Sequence, residues 1–173
     1  MSAQPGLPRA WLSLGSNLEP VRHLRAAIAE LRERFAGLVV SDAYRFPAVG
    51  FEGPDFVNLA AGIDSDLDPF ALDAWLHALE DRHGRRRDVP RYSDRTLDVD
   101  IVLYGDLVLR GPGHLQIPRP ELGEAFVLKP LAGIAPDVRE PLSGRRLDEL
   151  WSDAPAHAGA FERVLLDERP ARC

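Results

Sequence analysis

The sequence of 173 residues contains one cysteine, Cys173, so no intrachain disulfide can close and no cluster of thiolate ligands can form. Thiol redox chemistry and zinc–thiolate sites are excluded as the basis of its activity. No apolar run approaches the roughly 18 residues that cross a bilayer, and residues 1–8, with two prolines, lack the apolar stretch of a secretory signal. The expectation is a cytoplasmic protein that does not engage a membrane. Lysine is nearly absent, leaving the positive charge to arginine and Lys129 alone. There is no Gly-x-x-x-x-Gly-Lys-[Ser/Thr] phosphate loop, so a nucleotide would have to be held in another way. The net charge of −6 argues against a general DNA or RNA binder, which needs a surplus of clustered Lys and Arg. No internal repeat or linker interrupts the chain, and residues 1–173 are expected to form a single domain that buries roughly 70% of its unfolded surface.

The charge that is present is unevenly placed. Residues 64–81 hold Asp64, Asp66, Asp68, Asp73, Glu80 and Asp81 with no Lys or Arg. Residues 82–95 (RHGRRRDVPRYSDR) then carry six Arg against two Asp, a local charge of +4 that leaves −10 for the rest of the chain.

Residues 10–14 (AWLSL) alternate as a strand does, and Gly15-Ser16-Asn17 is expected to break it. Leu24, Ala27, Ile28, Leu31 and Phe35 recur with the 3.6-residue period of an amphipathic helix, stopped by Gly37. Residues 38–46 (LVVSDAYRF) and 56–63 (FVNLAAGI) read as two further strands, separated by a Pro/Gly-rich loop at 47–54. Asp68 and Pro69 supply an N-cap and a first-turn proline for a second helix bearing Leu72, Trp75, Leu76 and Leu79, which ends near Gly84. Residues 96–104 (TLDVDIVLY) form a fourth strand. The β-α-β-β-α-β order predicts an α+β fold with a ferredoxin-like core, its antiparallel sheet carrying both helices on one face. The C-terminal additions are a proline-spaced loop at 112–120, an apolar stretch at 126–134 and a short helix near 147–151. They are expected to pack on the same core, with the charged tail after Phe161 fraying.

In the fourth strand Asp98 and Asp100 share a face while Leu97, Val99, Ile101 and Leu103 are expected to face the core. Two carboxylates about 7 Å apart on one face fit a hard cation such as Mg²⁺. They fit equally a solvated pair balanced by the neighbouring arginines. The nearness of Arg82, Arg85, Arg86, Arg87, Arg91 and Arg95 favours the first reading, since phosphoryl transfer depends on placed positive charge and a bridging metal. Asn58 lies in an otherwise apolar strand, where its amide either bonds neighbouring backbone or reads the edge of a heteroaromatic ring, with Phe56 on the same face to stack on it. Phe46, Phe51 and Tyr92 are further stacking candidates.

These residues carry a family resemblance. Leu14-Gly15-Ser16-Asn17-Leu18, Pro54-Asp55-Phe56-Val57-Asn58, Glu80 with Gly84-Arg85, and the run from Arg95-Thr96-Leu97-Asp98-Val99-Asp100-Ile101 to Gly105 resemble the 6-hydroxymethyl-7,8-dihydropterin pyrophosphokinase family of the folate pathway. Ile117-Pro118, Phe126-Val127-Leu128, Pro130-Leu131 and Ile134-Ala135-Pro136 continue the match, which covers about residues 10–140. The resemblance implies transfer of pyrophosphate from ATP to the hydroxymethyl group of 6-hydroxymethyl-7,8-dihydropterin by a monomer, with release of AMP and the use of two Mg²⁺ ions. By position, Asp98 and Asp100 would hold both metals, and Arg85 and Arg95 would act on the phosphates. Glu80, Arg87, Ile101 and Arg119 would join those arginines in binding ATP. Asn58 would read the pterin edge between Phe56 and Phe126, with Val49 lining the pocket and Tyr92 standing where the family often has Trp. The loops at 47–54 and 84–94 would close over both substrates.

The chain departs from the family at Arg119, where His is usual, at Glu124-Ala125, where one or two Arg are usual, and at Asp88, where Lys is common. A pterin- or nucleotide-binding paralogue with weak or altered catalysis is therefore a second reading. A nucleic-acid module using the arginine loop is a third, and it lacks the aromatic pattern of RNA-binding sheets.

Overall fold

Ala10, Leu12 and Leu14 alternate with Trp11, Ser13 and Gly15 along β1 (Arg9–Ser16) in the computed structural model, which describes residues 6–48, 52–84, 94–154 and 161–166. The strand runs past the expected break because Gly15 pairs on both sides, with Asn58 and with Asp98. α1 (Pro20–Arg34) buries Leu24, Ala27 and Leu31, and the chain leaves it in an extended conformation at Phe35. The expected second strand is divided into β2 (Ala36–Val40) and β3 (Ala43–Phe46). Ser41 causes the division: its N–H donates to the Ala60 carbonyl at 2.9 Å while its hydroxyl accepts the Ala60 N–H at 2.8 Å, so a side chain replaces one rung of the ladder. β4 (Phe56–Asp64) follows, then α2 (Pro69–Arg82), whose N-cap Asp68 accepts the Ala71 N–H at 2.8 Å. β5 (Asp98–Tyr104) completes the predicted series.

The sheet has the order β5-β1-β4-β3-β8, with β2 also on β4 and every pairing antiparallel. β8 (Glu162–Val164) comes from the segment expected to fray; it adds to β3 as an edge strand. α1 and α2 cover one face, where Leu24, Leu31, Leu72, Leu76 and Leu79 meet Leu12, Leu14, Leu59, Ile63, Val99 and Ile101. Each of these buried side chains contributes about 1.5–3 kcal/mol of transfer free energy. The C-terminal third joins that core in part, through Leu115 and Ile117, with Leu107, Leu109, Val164 and Leu166 packed against it. α3 (Ala125–Ile134) and α4 (Leu147–Ser152) build a second core on the opposite face, where Val127, Leu128, Leu131 and Leu147 meet Ala60, Val102 and Leu103. Both faces of the central strands are apolar enough to hold a layer, which accounts for the difference. The proline-spaced loop contains a short hairpin, β6 (Leu109–Arg110) with β7 (Gln116–Ile117). Among the described residues no helix is long and apolar enough to cross a membrane.

A bulge in β5 sets the later geometry. Trp11 pairs with Leu103 but Leu12 pairs with Ile101, so Val102 is the extra residue. Before it, Val99 and Ile101 face the first core and the aspartates face the other way; after it, Leu103 turns to the second core and Tyr104 to the first. Leu103 is thus buried, as expected, on the face opposite to the one expected. The Val102 carbonyl accepts the Arg119 N–H at 3.0 Å, which brings the segment after β7 to β5.

Trp11 lies across Gly62 of β4, where an added Cβ would stand 2.4 Å from the indole ring. Gly62→Ala should therefore destabilise the protein by about 1–3 kcal/mol through overpacking. Urea unfolding followed by tryptophan fluorescence measures it, and an unchanged midpoint would show that the ring retreats freely.

Candidate active site

Two rows of residues cross the second face of the sheet. In one, Asp98, Gly15, Asn58 and Tyr44 are paired neighbours on β5, β1, β4 and β3; in the other, Asp100, Ser13 and Ala60 are. At about 4.8 Å per strand, Asp98 and Asn58 stand roughly 10 Å apart with only a glycine between them. The glycine leaves room over β1 that the Asn58 amide occupies, with the Phe56 ring beside it. Gly15 is required there, since an added Cβ would lie 2.6 Å from Asn58 Nδ2. Asn58 is 6% exposed, and its Oδ1 has no hydrogen-bond partner among the described residues. A buried acceptor left unpaired costs about 1–3 kcal/mol, which a ligand donor would offset. Thr96 Oγ1, just before β5, is a second buried oxygen without a partner among these residues.

Each aspartate faces an arginine. Arg95 Nη1 lies 3.2 Å from Asp98 Oδ2, and Arg119 Nη1 lies 3.4 Å from Asp100 Oδ1, with Arg119 Nε also 3.2 Å from Glu121 Oε2. Burial and then the charge of Asp98 hold the Asp100 carboxyl well above the usual carboxylate range, against the pull of Arg119. A pair of carboxylates that cannot both ionise cheaply, offering only oxygen donors on one face, suits a hard divalent cation. Behind the strand, buried Glu80 accepts the Val99 N–H at 2.8 Å through Oε2. At 2% exposure Glu80 offers almost no surface to a ligand; its visible work is to tie α2 to the strand between the two aspartates. Ile101 is likewise packed in the first core at 2% exposure, which leaves only its main chain for a ligand.

The end of β1 anchors the two neighbouring loops through Asn17, which is 4% exposed. Its Nδ2 donates to the Pro54 carbonyl at 3.1 Å and to Asp94 Oδ1 at 2.8 Å, while its Oδ1 accepts the Arg95 N–H at 2.7 Å. Its own N–H donates to the Arg95 carbonyl at 3.0 Å. Sequence reasoning took Gly15-Ser16-Asn17 for a turn; the available signal was an amide at a strand end, which can satisfy several loop groups at once. Phe46, a stacking candidate by sequence, is buried in an aromatic edge beside Tyr44 that the sequence pattern does not otherwise mark. Phe161 stacks on Phe46 at 5.3 Å and meets Tyr44 at 5.7 Å and Trp151 at 6.0 Å, with Lys129 5.6 Å from the Tyr44 ring.

The structure thus brings Arg95, Asp98, Asp100 and Arg119 together at one end of the rows, with Asn58 along the row from them and half-buried Phe56 beside it, paired with Phe46. Phe126 is half-buried on α3, which covers the same face, and Glu124 is exposed at the N-cap of that helix. Val49, Arg85, Arg87 and Tyr92 lie outside the described residues, as does most of the loop expected to close at 84–94.

Residues 11–136 match the family model described as 7,8-dihydro-6-hydroxymethylpterin-pyrophosphokinase. The chain is 41% identical over 155 residues to a 2-amino-4-hydroxy-6-hydroxymethyldihydropteridine pyrophosphokinase of Pseudomonas aeruginosa, covering 86% of this chain and 93% of the relative. It is 40% identical over 146 residues to a protein of the same name from Synechocystis, covering 82% and 73%. Its fold resembles the crystal structure of the wild-type HPPK-DHPS of Plasmodium falciparum with a TM-score of 0.67 at 12% identity, over 87% of this chain and 45% of that one. This chain therefore spans less than half of that longer protein.

Two outcomes are expected from this geometry. With divalent cations removed, Asp100 ionises freely only in the unfolded chain, so stability falls as pH rises above about 4. Asp100→Asn should melt higher than wild type at pH 8 in chelator and lose that advantage as the pH approaches 4; equal melting temperatures across the range would contradict the raised Asp100 carboxyl. Asn17→Ala removes three side-chain bonds and should cost about 1–3 kcal/mol while accelerating exchange of the Arg95 amide. Unaltered protection at that amide would count against the anchoring role.

Proposed function

The chain belongs to the 7,8-dihydro-6-hydroxymethylpterin-pyrophosphokinase family, and from that premise we propose how its second sheet face performs the reaction. The protein is an ATP-dependent pyrophosphoryl transferase of folate biosynthesis, acting on the hydroxymethyl group of 6-hydroxymethyl-7,8-dihydropterin and releasing AMP. We read its strand order β5-β1-β4-β3 as the ferredoxin-like core.

The observation that carries the assignment of residues is the row in which Asp98 and Asn58 flank Gly15. Asn58 Oδ1, buried and unpaired among the described residues, accepts from the N–H edge of the pterin, and its amide nitrogen completes the readout. Phe56 and Phe126 wall the ring, and the family pattern adds Val49 and Tyr92 to the pterin-binding set. The pterin then lies on this face beside Asn58, with its hydroxymethyl arm toward the aspartates. Asp98 and Asp100 would hold two Mg²⁺ ions, which would supply positive charge to offset that of the ATP phosphates. Arg95 and Arg119, now paired to those aspartates, exchange toward phosphate oxygens, joined by Arg85 and Arg87. Glu80 keeps both carboxylates in place through the Val99 N–H. The hydroxymethyl oxygen bonds to the β-phosphorus and its proton is lost to solvent. The bond from the β-phosphorus to the oxygen bridging to the α-phosphate breaks, and AMP departs with that electron pair.

Binding without catalysis is the disfavoured reading. Arg119 supplies a cation beside Asp100 although Glu124 stands where a relative would carry Arg, so the positive charge is relocated rather than lost.

AMP formation from ATP should require both the pterin alcohol and Mg²⁺. Asp98→Ala and Asp100→Ala should each lower kcat by about 10²–10³-fold or more, the range for removal of a transition-state charge stabiliser. Near-normal turnover in either variant would remove the aspartates from their assigned role. Asn58→Ala should instead raise the pterin KM by roughly 10–100-fold, the equivalent of one lost buried hydrogen bond; a fall in kcat with an unchanged KM would refute the edge-reading assignment.

A further inference from the structure

A second convergence of metal-binding side chains lies away from the aspartate pair. Asp73 and His77 stand one turn apart on α2, and His114 approaches them from the turn between β6 and β7. His114 Nε2 is 3.1 Å from Asp73 Oδ2, His77 Nδ1 is 3.7 Å from that same oxygen, and all three donor atoms lie within 4.8 Å of one another. The imidazole rings are 5.2 Å apart at 31°. A tetrahedral ion with bonds of about 2.1 Å sets its ligand atoms roughly 3.4 Å apart, and the two edges measured from Asp73 fall on either side of that value.

We propose that Asp73, His77 and His114 form a second metal site, selective for a zinc-like divalent ion, that clips the β6–β7 hairpin to α2. Two imidazoles and one carboxylate favour zinc, cobalt or nickel over magnesium, which takes oxygen ligands. Side-chain exposures of 18% for Asp73, 35% for His77 and 67% for His114 leave the site open to solvent, so water completes the coordination. Two of the three ligands sit on a helix already fixed by Leu72, Leu76 and Leu79 in the first core, and only the His114 side chain has to be ordered on binding. The clip would brace the supports of the reaction site from outside it. Seven residues along α2 from Asp73, Glu80 holds the Val99 N–H, and β7 leads through Ile117 to Arg119 beside Asp100.

Calorimetric titration of the full chain with Zn²⁺ alone, after treatment with chelator, tests the site. The expected result is one Zn²⁺ bound with about micromolar affinity, visible with Co²⁺ as d–d absorption of a low-coordinate nitrogen–oxygen site and undisturbed by millimolar Mg²⁺. His77→Ala and His114→Ala should each weaken Zn²⁺ binding by at least about tenfold, with circular dichroism confirming an unchanged fold. The Asp98→Asn/Asp100→Asn double variant should retain it. Absence of binding at roughly 100 µM Zn²⁺, binding insensitive to both histidine variants, or binding lost in the double aspartate variant would each overturn the proposal.

Discussion

The antiparallel pairing of β1 with β4 on one side and β5 on the other, drawn close at Gly15, is the constraint on which the rest of the site depends. It places Asp98 and Asn58 in one row, two strands apart, with only a glycine between them. The glycine is what lets the Asn58 amide lie over β1, since any side chain there would displace it. The two ends of the row also differ in character. Asn58 is buried with an acceptor to spare, whereas Asp98 and Asp100 are partly open and face arginines. A flat heteroaromatic ring suits the first end and a metal-bound polyphosphate the second.

Electrostatics explains why the aspartates sit beside arginines and still favour a metal. Arg119 lowers the cost of ionising Asp100, but burial and the second carboxylate outweigh it. A divalent ion with phosphates would supply the missing charge, and the guanidiniums would then be free to follow the phosphate oxygens. Arg119 reaches this position by two backbone features, the hairpin that precedes it and the bulge at Val102 whose carbonyl holds its N–H. Of the +4 segment, Arg82 pairs with Glu30 and Arg95 with Asp98.

Buried polar groups do the positioning. Glu80 fixes β5 from the helix side, and Asn17 gathers Pro54, Asp94 and Arg95 at the end of β1. Inside a protein such bonds are costly to leave unmade, so they define geometry more sharply than apolar contacts of the same size. The second layer of helices completes the site by bringing Phe126 over the face that carries the rows.

The period of the apolar residues was enough to place both helices and the main strands, because burial imposes a repeat of 3.6 or 2 that is visible without the fold. The same alternation put Asp98 and Asp100 on one face, and an amide within an apolar strand marked Asn58. The runs from Arg95 to Gly105 and from Pro54 to Asn58 carry the resemblance to the family. Only the tertiary structure decided that Ser41 splits a strand, that the bulge at Val102 turns Leu103 to the other face, and that α3 and α4 build a second core. It alone brought Arg119 to Asp100, Asn17 to three loop groups and Glu80 to a backbone N–H. The physical reason is that periodicity records what each residue needs from its immediate neighbours, whereas register shifts and hydrogen bonds between distant residues depend on which strands meet, and that is settled only when the whole chain packs.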